Sequence, residues 1–358
     1  MKASIGILAG DGIGPEVMRE GIRALRTVGK IGGHTFELPE ALIGGAAIDA
    51  TGDPFPSATR ATVEQSDAVL LGAVGGPKWS DPGAAVRPEQ GLLDLRAAMN
   101  VYANIRPVKT HPALYAASPL RPEFLDGVDI MVVRELTGGI YFGAKTSTAD
   151  QATDTCTYRR DEIERVVRMA GEFARDRRGK VTSVDKANVL ATSRLWRQVT
   201  DEMFEQEFED LDLETLLVDA AAMHLLSRPS DFDVIVTENM FGDILTDEAS
   251  MLCGSLGMLP SASLNENHRG LYEPIHGSAP DIAGQDCANP CGMILSVALM
   301  LRYSLKLTAE AELLEQAVIV AIEAGHRTRD LAGPGETGVD TTAMGTAISG
   351  AYQKLANS

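Results

Sequence analysis

The stretch Phe232-Asp-Val-Ile-Val-Thr-Glu238, continued by Asn239-Met-Phe-Gly-Asp-Ile-Leu-Thr-Asp-Glu248, decides the architecture. The apolar run at its start reads as a buried strand. The segment from Asp243 to Cys253 reads as a helix stopped by Gly254. The i, i+4 spacing of Asp243 and Asp247 puts both carboxylates on one helix face, with Cβ atoms about 5–6 Å apart. Two like charges at that range repel unless a cation lies between them, and Mg²⁺ and Mn²⁺ are oxygen-seeking ions that such a pair can hold. The same pair also reads as a solvated helix face whose first-turn Asp is favoured by the helix dipole. Partners elsewhere in the chain have to decide between the two.

Outward from this unit, strand and helix alternate. Two further strand–helix units end near Asp185 and Asp219. In the first third, Ala3–Ala9 reads as a strand, Pro15–Val28 as a helix and Thr35–Leu38 as a strand; Ser57–Gln65 then reads as a helix and Ala68–Val74 as a strand. This is the rhythm of a parallel sheet with helices on both faces, an α/β fold. Asp129–Arg134 and Gly139–Gly143 read as strands, and Asp161–Arg177 as an amphipathic helix. The polar, Thr-rich Ala149–Arg159 is either a mobile loop or an arm that pairs with a second subunit. Helices are expected again at Met293–Leu305, Ala309–His326 and Thr341–Leu355. A chain of 358 residues exceeds what one core usually supports. No Pro-, Gly- or Ser-rich linker divides it, so two interleaved domains are expected. The first comprises residues 1–101 and 254–358; the second comprises 102–253, with an arm near 143–160.

Fifty acidic against 32 basic residues give a net charge of −18. Such a chain repels nucleic acid and anionic membranes, and an anionic substrate would need clustered arginine to overcome that background. The N-terminal apolar run is broken by Asp11 and is too short for a signal peptide. The run Met293–Leu301 falls well short of the roughly 20 residues a membrane span needs. Four cysteines do not make a disulfide framework, and Cys287 and Cys291 lack the second pair a zinc site requires. A cytoplasmic protein is expected.

Several stretches carry candidate chemistry. Gly10-Asp-Gly-Ile-Gly14-Pro15-Glu16 follows a strand and opens a helix, as a Rossmann fingerprint does. Proline stands where the fingerprint needs its last small residue, so Pro15 reads instead as the start of the helix. Arg96, Arg106 and Arg134 lie near the ends of elements, and guanidinium forks suit bidentate capture of carboxylates; together they suggest a site for a small polycarboxylate. Lys186, after the strand Val181–Val184, is a surface charge or a general base. Tyr141, among glycines, is a packing residue or a proton donor. Asp219, at an expected strand end, is a possible third metal carboxylate. The small-residue loop Glu273-Pro-Ile-His-Gly-Ser-Ala-Pro-Asp281 lets a ligand approach the backbone closely.

These motifs, with Leu71-Gly-Ala-Val-Gly-Gly-Pro-Lys-Trp79 and Arg134-Glu-Leu-Thr-Gly-Gly-Ile-Tyr-Phe-Gly143, resemble the β-decarboxylating dehydrogenases of isocitrate and isopropylmalate nearly end to end. The resemblance implies the isopropylmalate dehydrogenase-like fold: two interleaved α/β domains, a cofactor site that is not of the Rossmann kind, and a β-arm used in dimerisation. It further implies a homodimer whose active sites are shared between subunits. Asp243 and Asp247 would hold Mg²⁺ or Mn²⁺ with Asp219 from the partner, and Asp219 would also border the substrate. Arg96, Arg106 and Arg134 would grip the malate carboxylates. Lys186, also from the partner, would be the base for the substrate hydroxyl, and Tyr141 the proton donor to the enol. The cofactor would sit on Glu273, His276, Gly277, Ser278, Ala279, Asp281, Ile282 and Asn289.

Two specificities follow from the resemblance. Arg87-Pro-Glu-Gln-Gly-Leu-Leu93 matches the family's pocket for an isopropyl group, with Leu92 and Leu93 burying it and Glu89 among the substrate-binding residues. Leucine there favours an isopropyl group by roughly 1.5–3 kcal/mol and opposes the third carboxylate of isocitrate. The expected substrate is therefore 3-isopropylmalate. The Asp281 carboxylate suits a ribose 2′-hydroxyl and repels a 2′-phosphate, so NAD is expected over NADP. The competing readings are a tartrate, D-malate or homoisocitrate dehydrogenase, and a non-catalytic regulatory paralogue. Retention of Lys186, Tyr141 and all three aspartates argues against the last.

Overall fold

A computed structural model describes residues 1–79, 84, 86–333 and 335–358. In chain order the strands are β1 Lys2–Gly10, β2 Thr35–Glu37, β3 Ala68–Ala73, β4 Ala103–Lys109, β5 Asp129–Glu135 and β6 Lys145–Ser147, then β7 Ala152–Asp154, β8 Lys180–Asp185, β9 Asp212–Leu217, β10 Val234–Thr237, β11 Pro260–Leu264 and β12 Gly270–Pro274. The helices are α1 Gly14–Gly32, α2 Gly44–Thr51, α3 Ser57–Glu64, α4 Pro88–Ala98, α5 Pro122–Leu125 and α6 Arg160–Arg175. They continue with α7 Ala191–Glu207, α8 Val218–Ser227, α9 Asn239–Ser250, α10 Cys291–Tyr303, α11 Thr308–Glu323 and α12 Thr341–Leu355. Among the described residues no helix is long and apolar enough to cross a membrane.

The chain divides into two compact units, Met1–Val101 with Gly254–Ser358, and Tyr102–Cys253. In the first, strand order is β2-β1-β3-β12-β11, parallel except for the antiparallel pair β11–β12. Helix α10 is the hub of its core. Met293, Ile294, Val297, Ala298, Met300 and Leu301 have no exposed surface, and each large side chain among them contributes about 1.5–3 kcal/mol through burial. A helix apolar on nearly every side, with Ser296 bonded back to Gly292 O and Arg302 paired with Glu315 at its end, suits packing against sheet and helices at once.

In the second unit the order is β4-β5-β10-β8-β9, with only the β4–β5 pair antiparallel. The register sets Thr237 beside both Arg134 and Val184, so β5, β8 and β10 finish at one edge of the sheet. That edge is where open α/β sheets place their chemistry. β6 and β7 form a separate antiparallel ribbon whose residues are all exposed.

Four readings of the sequence are corrected here. Gly139–Gly143 is a turn rather than a strand: the buried Glu135 carboxylate takes the amides of Thr137 and Gly138 and curls the backbone, and Gly139 adopts a left-handed φ of 80°. Asp219 does not end a strand; β9 stops at Leu217, and Asp219 lies in the first turn of α8, where the helix dipole favours a carboxylate. Helix α9 starts at Asn239, four residues before Asp243, and stops at Ser250. Arg106 sits inside β4 rather than at an element end.

Candidate active site

Asp243 and Asp247 remain one turn apart on α9, and three side chains from earlier in the chain meet them. Arg134 Nη1 donates to Asp243 Oδ1, while Arg106 Nη2 and Nη1 lie 3.7 and 3.9 Å from Asp243 Oδ1 and Asp247 Oδ1. The Tyr141 hydroxyl donates to Asp243 Oδ2 at 3.1 Å. Both guanidinium groups are buried, at 5–9% exposure, whereas the carboxylates they face are open to solvent at 39% and 64%. Burial first, and then Asp243, raises the Asp247 carboxyl above its ordinary range, with Arg106 opposing. Burial and the Asp243 charge likewise push the Tyr141 phenol up, which keeps it protonated and able to donate.

The arginines are held by neutral groups. Asn104, opposite Arg134 across the β4–β5 pair, accepts from Arg106 Nε at 2.6 Å, and Thr246 Oγ1 accepts from Arg106 Nη1 at 2.5 Å. Asn239 Oδ1 accepts from Arg134 Nε and Nη2 at 3.0 and 2.8 Å. A side chain at Gly242 would start 2.7 Å from Arg134 Cγ, so a glycine there lets α9 lie directly on the arginine. Residue types alone gave no signal for these supports: Thr246 and Asn239 act on arginines 140 and 105 residues away, and Asn104 acts on Arg106 only because both stand on one face of β4.

Lys186, just past β8, donates to Asp219, and that bond holds the Asp219 carboxyl below its usual range. Among the described residues no group of three His, Cys, Asp or Glu side chains is placed to hold a metal. Within one chain, therefore, Asp219 stands with Lys186 and does not join Asp243 and Asp247.

In the other unit, Arg96 Nη2 donates to Glu273 Oε1 at 2.9 Å, both largely buried, so an expected substrate residue and an expected cofactor residue form one ion pair. The glycine turn before α1 is filled by protein. Ile13 N donates to Ser278 O at 2.8 Å, and a Cβ on Gly12 would fall 2.0 Å from that same oxygen. The Asp11 carboxylate takes the amides of Gly45, Ala46 and Gly75, each at 2.8 Å, and Glu16 takes those of Gly284 and Asp286. Thus the Ile13 amide ties the turn to the loop Glu273–Asp281 through Ser278 O.

On that loop His276 Nδ1 lies 2.9 Å from Gly277 O, its Nε2 is buried without a protein partner, and burial lowers its pKa. A Cβ on Gly277 would meet open space, and Asp281 is exposed. Ala279, with φ 37°, turns the chain toward Ile282. Asn289 caps α10, its Oδ1 accepting from Cys291 N and its Nδ2 donating to Asp330. Glu89 and Pro280 line one open hollow with Trp79 and Arg87, and Leu92 and Leu93 are half-buried on α4.

Residues 4–348 match the model of the isocitrate/isopropylmalate dehydrogenase family. The chain is 57% identical to a 3-isopropylmalate dehydrogenase of Geobacillus kaustophilus, over 95% of this chain and 93% of that one. It is 54% identical to another from Rhodopirellula baltica, over 97% and 98%. Among solved structures, an isocitrate dehydrogenase from Methylococcus capsulatus superposes with a TM-score of 0.87 at 32% identity, covering 98% of this chain and 99% of that one. A fold with its charged groups gathered at the carboxyl ends of parallel strands, and relatives of this similarity across almost the whole length, place the chain in the isocitrate/isopropylmalate dehydrogenase family.

Proposed function

We propose that the chain oxidises and decarboxylates (2R,3S)-3-isopropylmalate to 4-methyl-2-oxopentanoate with reduction of NAD, a step of leucine biosynthesis. The observation that carries this reading is the convergence of Arg106, Arg134 and Tyr141 on Asp243 and Asp247.

The donor set fits a divalent ion in part. Two carboxylates from one chain fall short of the roughly six oxygens that Mg²⁺ or Mn²⁺ takes, leaving room for substrate oxygens, water and Asp219 of a second copy. The charges also fit. Two arginines balance two aspartates; with a divalent cation and a malate dianion bound, Asp243 and Asp247 would hold the cation, Arg106 and Arg134 would face the substrate carboxylates, and the site would stay neutral. A bound divalent ion would polarise the oxygens at the reacting carbons, and a bound nicotinamide would accept the hydride.

The protein's own side chains handle the protons. Lys186 Nζ takes the proton of the substrate hydroxyl, and Tyr141, kept protonated by burial and by Asp243, returns one to the carbon left by CO₂. The orphaned His276 Nε2 and the open space at Gly277 suit a dinucleotide on the loop Glu273–Asp281, with Asp281 accepting from the ribose hydroxyls.

Lys186 and Asp219 are presented as one pair, as donation to a neighbour's site requires. The exposed Met223 and Leu226 on α8 and Ile244 on α9, 69%, 40% and 60% exposed, give a second copy an apolar face beside the acid pair, and the β6–β7 ribbon is too small to be stable alone. Four unpaired cysteines agree with residence in the cytoplasm. The test is NADH formation from 3-isopropylmalate, isocitrate and D-malate side by side, with and without Mn²⁺. Metal-dependent turnover led by 3-isopropylmalate is expected. Comparable kcat/KM for isocitrate would overturn the substrate assignment.

A further inference from the structure

We propose that Asn239 is the positioning residue of the substrate site, and that its neutral carboxamide is what keeps the charge of Arg134 available to a carboxylate. The proposal rests on the reading that Arg134 grips the substrate.

Arg134 is 5% exposed, and a guanidinium removed from water is costly unless its N–H groups are met. Asn239 Oδ1 meets one edge of the fork, taking Nε at 3.0 Å and Nη2 at 2.8 Å, while Nη1 goes to Asp243. The orientation of the amide is settled by its other end, since Nδ2 donates to Gly138 O at 3.2 Å. Its backbone N–H donates to the Tyr158 hydroxyl at 2.9 Å, and the Tyr158 ring packs where side chains at Gly138 and Gly139 would stand. Asn239, Asp243 and Asp247 follow one another at i, i+4 and i+8 on α9. One side chain thereby joins the arginine of β5, the turn leading to Tyr141 and the helix that carries the acid pair.

The chemistry of the residue is specific. An amide oxygen accepts both N–H groups without cancelling the positive charge. A carboxylate in its place would accept them equally well, but would neutralise Arg134 and oppose Gly138 O. An aliphatic side chain would leave that edge of the fork unheld.

The experiment measures kcat and KM for 3-isopropylmalate at saturating NAD and Mn²⁺ in the parent, Asn239→Asp, Asn239→Ala, Arg134→Lys and the Asn239→Ala/Arg134→Lys double variant. Thermal unfolding and the KM for NAD are followed in parallel. Neutralisation of Arg134 in Asn239→Asp, and loss of hydrogen bonds to a charged group in Asn239→Ala, each predict that KM for 3-isopropylmalate rises about tenfold or more, with kcat falling less and the KM for NAD unchanged. The Asn239→Ala effect shrinks to about threefold or less in the Arg134→Lys background if it acts through that arginine. A KM for 3-isopropylmalate within about twofold of the parent in both folded single variants, or effects of Asn239→Ala and Arg134→Lys that simply multiply, would overturn the proposal. Should Asn239→Ala fail to fold, the isosteric Asn239→Asp decides alone. A parent that does not turn over 3-isopropylmalate rejects the functional reading itself; an active parent with unmoved variants rejects only the role of Asn239.

Discussion

Glu238 directly precedes α9, is 5% exposed, and lies near a second buried carboxyl, Glu135. Burial, and then the charge of Glu135, raise its pKa from 4.5 to about 7, against an opposing pull from the Phe241 amide. The consequence for stability has a definite sign. Below pH 4.5 the group is protonated whether the chain is folded or unfolded and contributes no pH dependence. Between about 4.5 and 7 the unfolded chain has lost the proton and the folded one still holds it, so rising pH favours unfolding. At about 1.4 kcal/mol per pH unit, the interval corresponds to roughly 3 kcal/mol of stability lost by pH 8. Glu238→Gln keeps the size of the side chain and removes the ionisation. Thermal unfolding of parent and variant at pH 5 and pH 8 should show near-equal transitions at pH 5 and a variant that melts a few degrees higher at pH 8. Groups that do not interact with Glu238 cancel in the difference. A variant that is less stable at pH 8, or one whose offset is the same at both pH values, would refute the assignment of a buried, proton-holding carboxyl to this position.

Lys186→Ala and Asp243→Asn copies, each inactive alone, should regain roughly a quarter of parent activity when unfolded and reassociated as an equal mixture, because half the dimers carry one intact site of two; a mixture no more active than its components excludes a shared site. Leu92→Ala should lower kcat/KM for 3-isopropylmalate about tenfold and leave D-malate, which lacks the isopropyl group, near its parent value. NAD should exceed NADP in kcat/KM by about a hundredfold or more, and Asp281→Lys should narrow that ratio from both sides; steady-state NADH and NADPH formation decides it.

The parallel strands are legible in the sequence because both faces of each are covered: β3, β5 and β10 are continuous apolar runs of the length a buried strand has. Strand β4 is not, since Asn104, Arg106 and Pro107 interrupt its pattern; Arg106 is held there by Asn104 on the same strand and by Thr246 far along the chain. Ile140-Tyr141-Phe142 has strand composition but follows two glycines and a carboxylate that bends the backbone, so composition misleads there. The charged members of the site are legible as residue types at suggestive spacings. Their supports are not, because Asn104, Asn239 and Thr246 announce nothing until the arginine each one holds is in place.

The glycine turn Gly10-Asp-Gly-Ile-Gly-Pro-Glu16 shows where the sequence does carry the distinction. A phosphate-binding loop works by presenting unsatisfied N–H donors to an anion, at the positive end of a helix. Two carboxylates within such a loop would compete with the ligand for those same donors. Here Asp11 and Glu16 do take backbone amides, from the segments at Gly45, Ala46 and Gly75 and at Gly284 and Asp286, and the Ile13 amide at the start of α1 is given to Ser278 O. The turn is a set of acceptors that gathers surrounding chain. The two acids and the proline, more than the three glycines, therefore identify it: they mark a turn that ties surrounding chain together, Ser278 and the segment at Gly284 and Asp286 included, where the glycines alone would have suggested a phosphate-binding turn.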